Sequence, residues 1–333
     1  MEQHLHTAAA DPDFQPLAER ALRELAALHP NRDLSQVEIH TDTTDFYRIN
    51  AGDVVLAEDE RFLVGNNTRE GRFGLDDEVK HWVKRATDLA TGQRKIIKLS
   101  FHERFDAHIG GIRFECFRSP HKESRILELT RGDSRFMQGH TRLDQTGNPI
   151  RVLDIVQGRC LPDVVSALTE AHEEYFHTRF PGILDNFIGA AQALALLHEN
   201  QEKHGDVRRD HLFVHSDTGA YCWIDFDYNF VHRENIYGLD LFGLGNILIY
   251  LAGKGDVTLP DLRDHHPDIL ATLYWEDLSL VWQNRVANLR KVYPYIPKEL
   301  NEILLYFSNN ATIYYERADQ MISDLRAARA TLG

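Results

Sequence analysis

Cysteine is scarce in this chain. Cys116, Cys160 and Cys222 are widely spaced and odd in number, which argues against a disulfide framework or a cysteine-based zinc site. Long hydrophobic runs are also missing: the longest, Leu239 to Ala252, is too short and too interrupted by glycine to span a bilayer. The N-terminus has no charged start followed by an apolar core, so no signal peptide is expected. Basic charge is in deficit, with 37 Lys and Arg against 51 Asp and Glu and a formal net charge of −14. Such a surface repels nucleic acid and anionic membranes, so neither is expected as a partner. There is no internal repeat and no low-complexity tract. What remains is 333 residues, 43% hydrophobic and 26% charged, an ordinary globular composition long enough for two lobes. The expectation is a soluble, acidic, cytoplasmic protein.

Hydrophobic periodicity divides the chain into three. In residues 1–45 the first ten have no apolar period, and from Phe14 the residues Leu17, Ala21, Leu25 and Leu28 recur at helical spacing up to His29-Pro30. Residues 46–156 read as a β-rich lobe, with runs such as RFLVG, KIIKLSF and RVLDIVQG, a Thr91-Gly92 turn and one helix in HKESRILELT. Residues 157–333 read as mostly helical, with one strand pair, HLFVH and AYCWIDF, joined by Ser-Asp-Thr-Gly. The fold class this predicts is α+β.

The densest chemical signal lies in residues 193–230. Phe187, Ala191, Leu194 and Leu197 form one face of a helix ending near His198. A tight loop carrying His204-Gly205-Asp206 follows, and then two strands whose turn places Asp225 beside that loop. Two carboxylates on loops at strand ends suit phosphoryl transfer: one orients and deprotonates a hydroxyl, the other holds a divalent metal on ATP phosphates.

These residues resemble the protein kinase-like superfamily, which includes bacterial serine/threonine kinases and aminoglycoside phosphotransferases, the latter with an HGD catalytic loop. The resemblance covers roughly residues 60–328 and implies a two-lobe kinase-like fold. It puts Asp206 in the place of the catalytic base and Arg208 where a phosphate-contacting side chain stands. Asp225-Phe226-Asp227 stands in the place of D-F-G, with Asp225 as metal ligand. Ile96-Ile97-Lys98 is similar to the strand whose lysine pairs ATP phosphates, Lys98 being favoured over Lys95 on the opposite strand face. Glu123 matches the helical glutamate that braces such a lysine, ahead of nearby Glu115 and Glu128. Asp154, Ile155 and Val156 fall at the hinge that would hold adenine, and Asp240 at the helix start that supports the catalytic loop. Gly71 and Gly74 are candidates for a phosphate-cradling loop. The closing segment IPKELNEILLYFSNNATIYYERADQMISDL resembles the last helices of bacterial serine/threonine kinases.

The departures carry information of their own. Gly205 replaces the catalytic-loop arginine, 14 residues separate Asp225 from Asp240, and no A-P-E follows. The late arginine that partners A-P-E is also missing, with Ile313 near its place. Activation-loop phosphorylation is therefore not expected as a switch. His81 and Trp82 would fall where small residues approach phosphate. His211 occupies the place of a metal-ligating asparagine. It leaves three readings: one metal held by Asp225, a preference for Mn²⁺ over Mg²⁺, or nucleotide binding without turnover. Asp227 could supply a compensating carboxylate, and the row Asp206, Asp210, Asp225 and Asp227 calls for a bound metal. The activity implied is ATP-dependent transfer of the γ-phosphate, with Mg²⁺ or Mn²⁺, to a Ser or Thr hydroxyl of a protein. A small-molecule hydroxyl, a nucleotide-binding pseudokinase and a transfer of the nucleotide itself stand as alternatives.

Overall fold

The computed structural model describes residues 15–70 and 78–332. In chain order the elements begin with α1 (Gln15–Leu28), β1 (Ile39–His40), β2 (Val54–Ala57), β3 (Glu60–Glu70), β4 (Glu78–Asp88) and β5 (Arg94–Lys98). Next come β6 (Arg104–Ile109), β7 (Ile112–Arg118), α2 (Pro120–Leu129), β8 (Gly139–Leu143), β9 (Pro149–Asp154) and β10 (Gly158–Cys160). The rest comprises α3 (Leu161–Ser166), α4 (His172–Thr178), α5 (Phe180–Glu199), β11 (Leu212–His215), β12 (Tyr221–Trp223) and β13 (Tyr228–Val231). It ends with α6 (Gly238–Ala252), α7 (Leu259–His265), α8 (Pro267–Leu270), α9 (Lys298–Leu305) and α10 (Ala318–Arg329). The chain is an α+β protein that divides into two compact units.

The first unit takes the described residues up to 102, with 119–133 and 137–155. Its seven-stranded sheet has the order β1-β2-β3-β4-β5-β9-β8; β1 and β2 are parallel and every other neighbouring pair is antiparallel. Strand alternation sorts the core. Val54 and Leu56 pack with Ala18, Ala21 and Leu25 of α1, whereas Val55 and Ala57 pack with Phe46, Phe62, Ile97 and Val152. α1 forms because its small and apolar residues share one stripe, and it stops before Pro30. α2 starts where Ser119 caps the Lys122 amide and Pro120 takes the first helical position, which puts Glu123 in the first turn.

The second unit takes residues 103–118, 134–136 and 156 onward. The division near the expected join falls between Ile155 and Val156, and the β6–β7 hairpin belongs with the second unit although its sequence lies inside the 46–156 stretch. That hairpin pairs with β13 in the order β13-β7-β6, while β10-β11-β12 make another small sheet. The expectation of a single strand pair in the second half therefore misses β10 and β13. Both are three or four residues long, too short to show a period, and each exists because a partner strand satisfies its backbone. α5 and α6 form the interior. Among the described residues α5 is the one helix long and apolar enough to cross a membrane, yet Phe180, Leu184, Phe187, Ala191 and Leu194 are fully buried in the unit's core. Trp223 packs beside α5 and donates its indole N–H to the Ala190 carbonyl at 2.9 Å.

Candidate functional site

In the second unit the candidate residues converge on the loop between α5 and β11. Gly205 has φ +86°, and a Cβ there would lie 1.8 Å from the Tyr228 carbonyl oxygen. Only glycine fits, because the left-handed backbone and the β13 carbonyl both exclude a side chain. This is the physical reason that no arginine stands at 205. Asp240, fully buried at the start of α6, accepts the His204 and Gly205 amides at 2.8 Å each and the His198 ring at 3.1 Å. Burial alone would raise the Asp240 carboxyl, but the His198 ring and the Gly205 amide outweigh it and hold it below the usual carboxylate range. α6 approaches the loop so closely that a Cβ on Gly243 would lie 2.4 Å from the Val207 carbonyl oxygen. The loop is thus fixed from both sides before any side chain of the site is placed.

Asp206, His211 and Asp225 come together on this frame. His211 is buried between the two carboxylates: its Nδ1 lies 3.5 Å from Asp206 Oδ2, and its Nε2 lies 3.7 Å from Asp225 Oδ2. Nδ1 is also 2.9 Å from the Asp206 carbonyl oxygen, which can only accept, so that nitrogen carries the proton and Nε2 is the nitrogen on the Asp225 side. Asp225 adopts φ +66°, a left-handed conformation unusual for a residue with a side chain and tolerated best by Asp and Asn. Phe226 behind it is fully buried, with ring centroids 5.0 Å from His204 and 6.0 Å from Phe136. Asp227 faces the hairpin instead, where its Oδ2 accepts from Arg118 Nη1 at 2.6 Å. Arg208 reaches Asp210 through Nε at 3.1 Å and stands 3.9 Å from Asp206 Oδ2. Burial pushes the Asp210 carboxyl up, and the Arg208 hydrogen bond brings it below its ordinary value.

In the first unit Lys98 and Glu123 also meet. Lys98 Nζ donates to Glu123 Oε1 at 2.8 Å, and both side chains are buried. Neither Glu115 nor Glu128 takes this place: the first pairs with Arg104 at 3.4 Å and the second with Arg131. Lys95, on the other strand face, donates to Asp154 Oδ1 at 2.6 Å. Asp154 closes β9, with its amide bound to the Gln138 carbonyl at 2.9 Å, and Ile155 and Val156 follow it. His81 and Trp82 are both in β4, where Trp82 packs on Phe101 with ring centroids 4.3 Å apart. Gly71 and Gly74 lie outside the described residues.

Two of the buried arginines, Arg118 and Arg151, bind candidate residues and are not singled out by sequence reasoning. Arg151 donates to Glu123 Oε2 at 3.1 Å, so one carboxylate serves two cations. Arg118 holds Asp227, and burial, which lowers its pKa, is outweighed by Asp227 and Asp225, which raise it. Arg151 sits in β9, which is buried on both faces from Pro149 to Leu153, and a charged residue inside such an apolar run is a readable signal; Arg118 has no comparable local mark. Comparison with models of known protein families gives no match, and neither does comparison with curated proteins, so the site is read from its own chemistry.

Proposed function

We propose that the chain is an ATP-dependent phosphotransferase of the protein kinase-like type. The observation that supports this most is the Asp206–His211–Asp225 arrangement, built on a left-handed aspartate and a loop held by Asp240. Carboxylate oxygens and an imidazole nitrogen fit a divalent cation of the Mn²⁺ or Mg²⁺ class, and Nδ1 bound to a carbonyl is how ligating histidines are oriented. Asp225 and His211 Nε2 would hold the metal, which neutralises phosphate charge when bound. Asp206 accepts the proton of the acceptor hydroxyl and orients its oxygen. Arg208 stands beside it to stabilise the transferring charge. Lys98, braced by Glu123, positions the nucleotide phosphates, and the backbone of 154–156 receives the adenine. The acceptor is a Ser or Thr hydroxyl of a protein, or a small-molecule hydroxyl.

One observation favours a second reading. His211, buried between Asp206 and Asp225 in the place of a metal-ligating asparagine, also fits a nucleotide-binding module without turnover. Phosphate incorporation measured in Mg²⁺ and separately in Mn²⁺, beside Asp206→Asn, separates the two. We expect transfer in the wild type, with Mn²⁺ preferred, and loss of transfer in Asp206→Asn with nucleotide affinity retained. Transfer that persists in Asp206→Asn refutes the catalytic assignment, and nucleotide binding with no transfer in either metal supports the second reading.

A further inference from the structure

Three residues after Asp225 the chain enters β13, and the partner of β13 is β7. The register sets Tyr228 opposite Arg118, followed by Asn229 opposite Phe117, Phe230 opposite Cys116 and Val231 opposite Glu115. Arg118 therefore ends its strand directly beside the segment that follows Asp225. Its side chain is 2% exposed, and its guanidinium is engaged at three nitrogens and on one face. Nη1 donates to Asp227 Oδ2 at 2.6 Å, Nε donates to Glu103 Oε2 at 3.0 Å, and Nη2 donates to the Tyr228 hydroxyl. Arg118 Cζ lies 3.9 Å from the Tyr228 ring centroid, and the Tyr228 hydroxyl donates to Glu103 Oε2 at 2.7 Å.

This arrangement does more than close a sheet. Asp225 is in a left-handed conformation that its own backbone disfavours, so something must hold the residues after it. Phe226 is held by burial and Asp227 by a charged hydrogen bond to a guanidinium fixed at two further points. An arginine with a planar fork restrains direction as well as distance, which a lysine at the same place would not. The segment after Asp225 is thus ordered by the chain's own hairpin.

We propose that Arg118 is a positioning residue for the metal-holding Asp225, and that the β6–β7 hairpin is a permanent clamp on the segment following it. The proposal rests on the reading of Asp225 as a metal ligand, and the test separates the two. Mn²⁺ binding to the full chain is measured by loss of the free-ion paramagnetic signal in the wild type, Asp225→Asn, Arg118→Lys and Tyr228→Phe. Amide hydrogen exchange at residues 228–231 is followed in the same samples. Arg118→Lys keeps the charge but not the fork; because Arg118 bonds Asp227, two residues from the ligand, it is expected to weaken Mn²⁺ binding by up to roughly tenfold, the low end of the effect of losing a direct outer partner of a metal ligand. Exchange at 228–231 should quicken with it. Tyr228→Phe keeps the ring and the strand pairing, loses one anchor of the guanidinium, and should weaken binding by a smaller factor. Wild-type Mn²⁺ affinity in folded Arg118→Lys, with binding lost in Asp225→Asn, overturns the clamp and leaves the metal reading standing. Unchanged Mn²⁺ affinity in Asp225→Asn overturns both. If Arg118→Lys does not fold, wild-type affinity in Tyr228→Phe overturns the clamp alone.

Discussion

Gly205→Ala should destabilise the second unit far more than a glycine replacement of the same backbone class elsewhere in it. Gly219, in the turn between β11 and β12, has φ +70° with nothing within 4 Å of an added Cβ, so alanine there meets only backbone strain. That strain is about 1–2 kcal/mol, offset by roughly 0.5 kcal/mol because alanine has a less disordered unfolded state, leaving a net cost of about 1 kcal/mol. At Gly205 the same strain applies, and the new Cβ would lie 1.8 Å from the Tyr228 carbonyl oxygen. An ordinary carbon–oxygen contact requires that carbonyl to retreat by about 1.5 Å. Moving it pulls Tyr228 away from Arg118 in the β13–β7 ladder, where about two hydrogen bonds of about 1 kcal/mol each are at risk. The total is about 3 kcal/mol, three times the control. Urea unfolding followed by tryptophan fluorescence reads this well, because Trp223, Trp275 and Trp282 lie in the second unit and only Trp82 in the first. Equal losses in Gly205→Ala and Gly219→Ala would refute the claim that β13 excludes a side chain at 205. Gly205→Arg, which restores the pattern of the resembling family, should be at least as damaging as the alanine.

Glu123 gives a second asymmetry: Glu123→Gln removes the carboxylate that buried Lys98 and Arg151 share and should cost about 3 kcal/mol, whereas Lys98→Met leaves Glu123 paired with Arg151 and should cost less. Thermal unfolding that ranks Lys98→Met as the more damaging of the two would reject this account of the cluster. His172 supplies a pH dependence, since burial holds its imidazole at about 4, with Lys254 reinforcing the effect and the Ala252 carbonyl opposing it. The unfolded chain binds a proton there that the folded chain refuses, so its contribution to stability is fully present above pH 6.5 and is lost as pH falls from 6.5 to about 4. The slope of the unfolding midpoint over that interval should flatten in His172→Gln, and an unchanged slope would show that another group is responsible.

Local chemistry was legible in the sequence and long-range pairing was not. The α1 stripe, the helix in HKESRILELT and the β11–β12 strand pair follow from periodicity and turn residues a few positions apart, whereas the Ser119 cap that starts α2 was not read. Lys98 and Glu123, paired by the resemblance, lie in contact, as do Asp206, His211 and Asp225. What sequence reasoning missed depends on partners far along the chain. β13 has no period of its own and exists through β7; Arg118 is buried because Asp227 and Tyr228 are there to receive it. Gly205 looked like a lost arginine until the Tyr228 carbonyl supplied the reason.

The excursion of residues 103–118 into the second unit also has a temporal consequence. The chain makes β7 long before its partner, because Arg118 and Tyr228 are 110 residues apart. At ribosomal speeds of about 5–20 residues per second, the β7 edge waits roughly 5–20 s for β13 to be synthesised. An unpaired strand edge is a template for association with other chains. Its outward residues Arg113 and Glu115 carry charge and pair with Asp106 and Arg104 across the hairpin. That pairing gives the nascent hairpin a polar face during the interval when its inner edge is open.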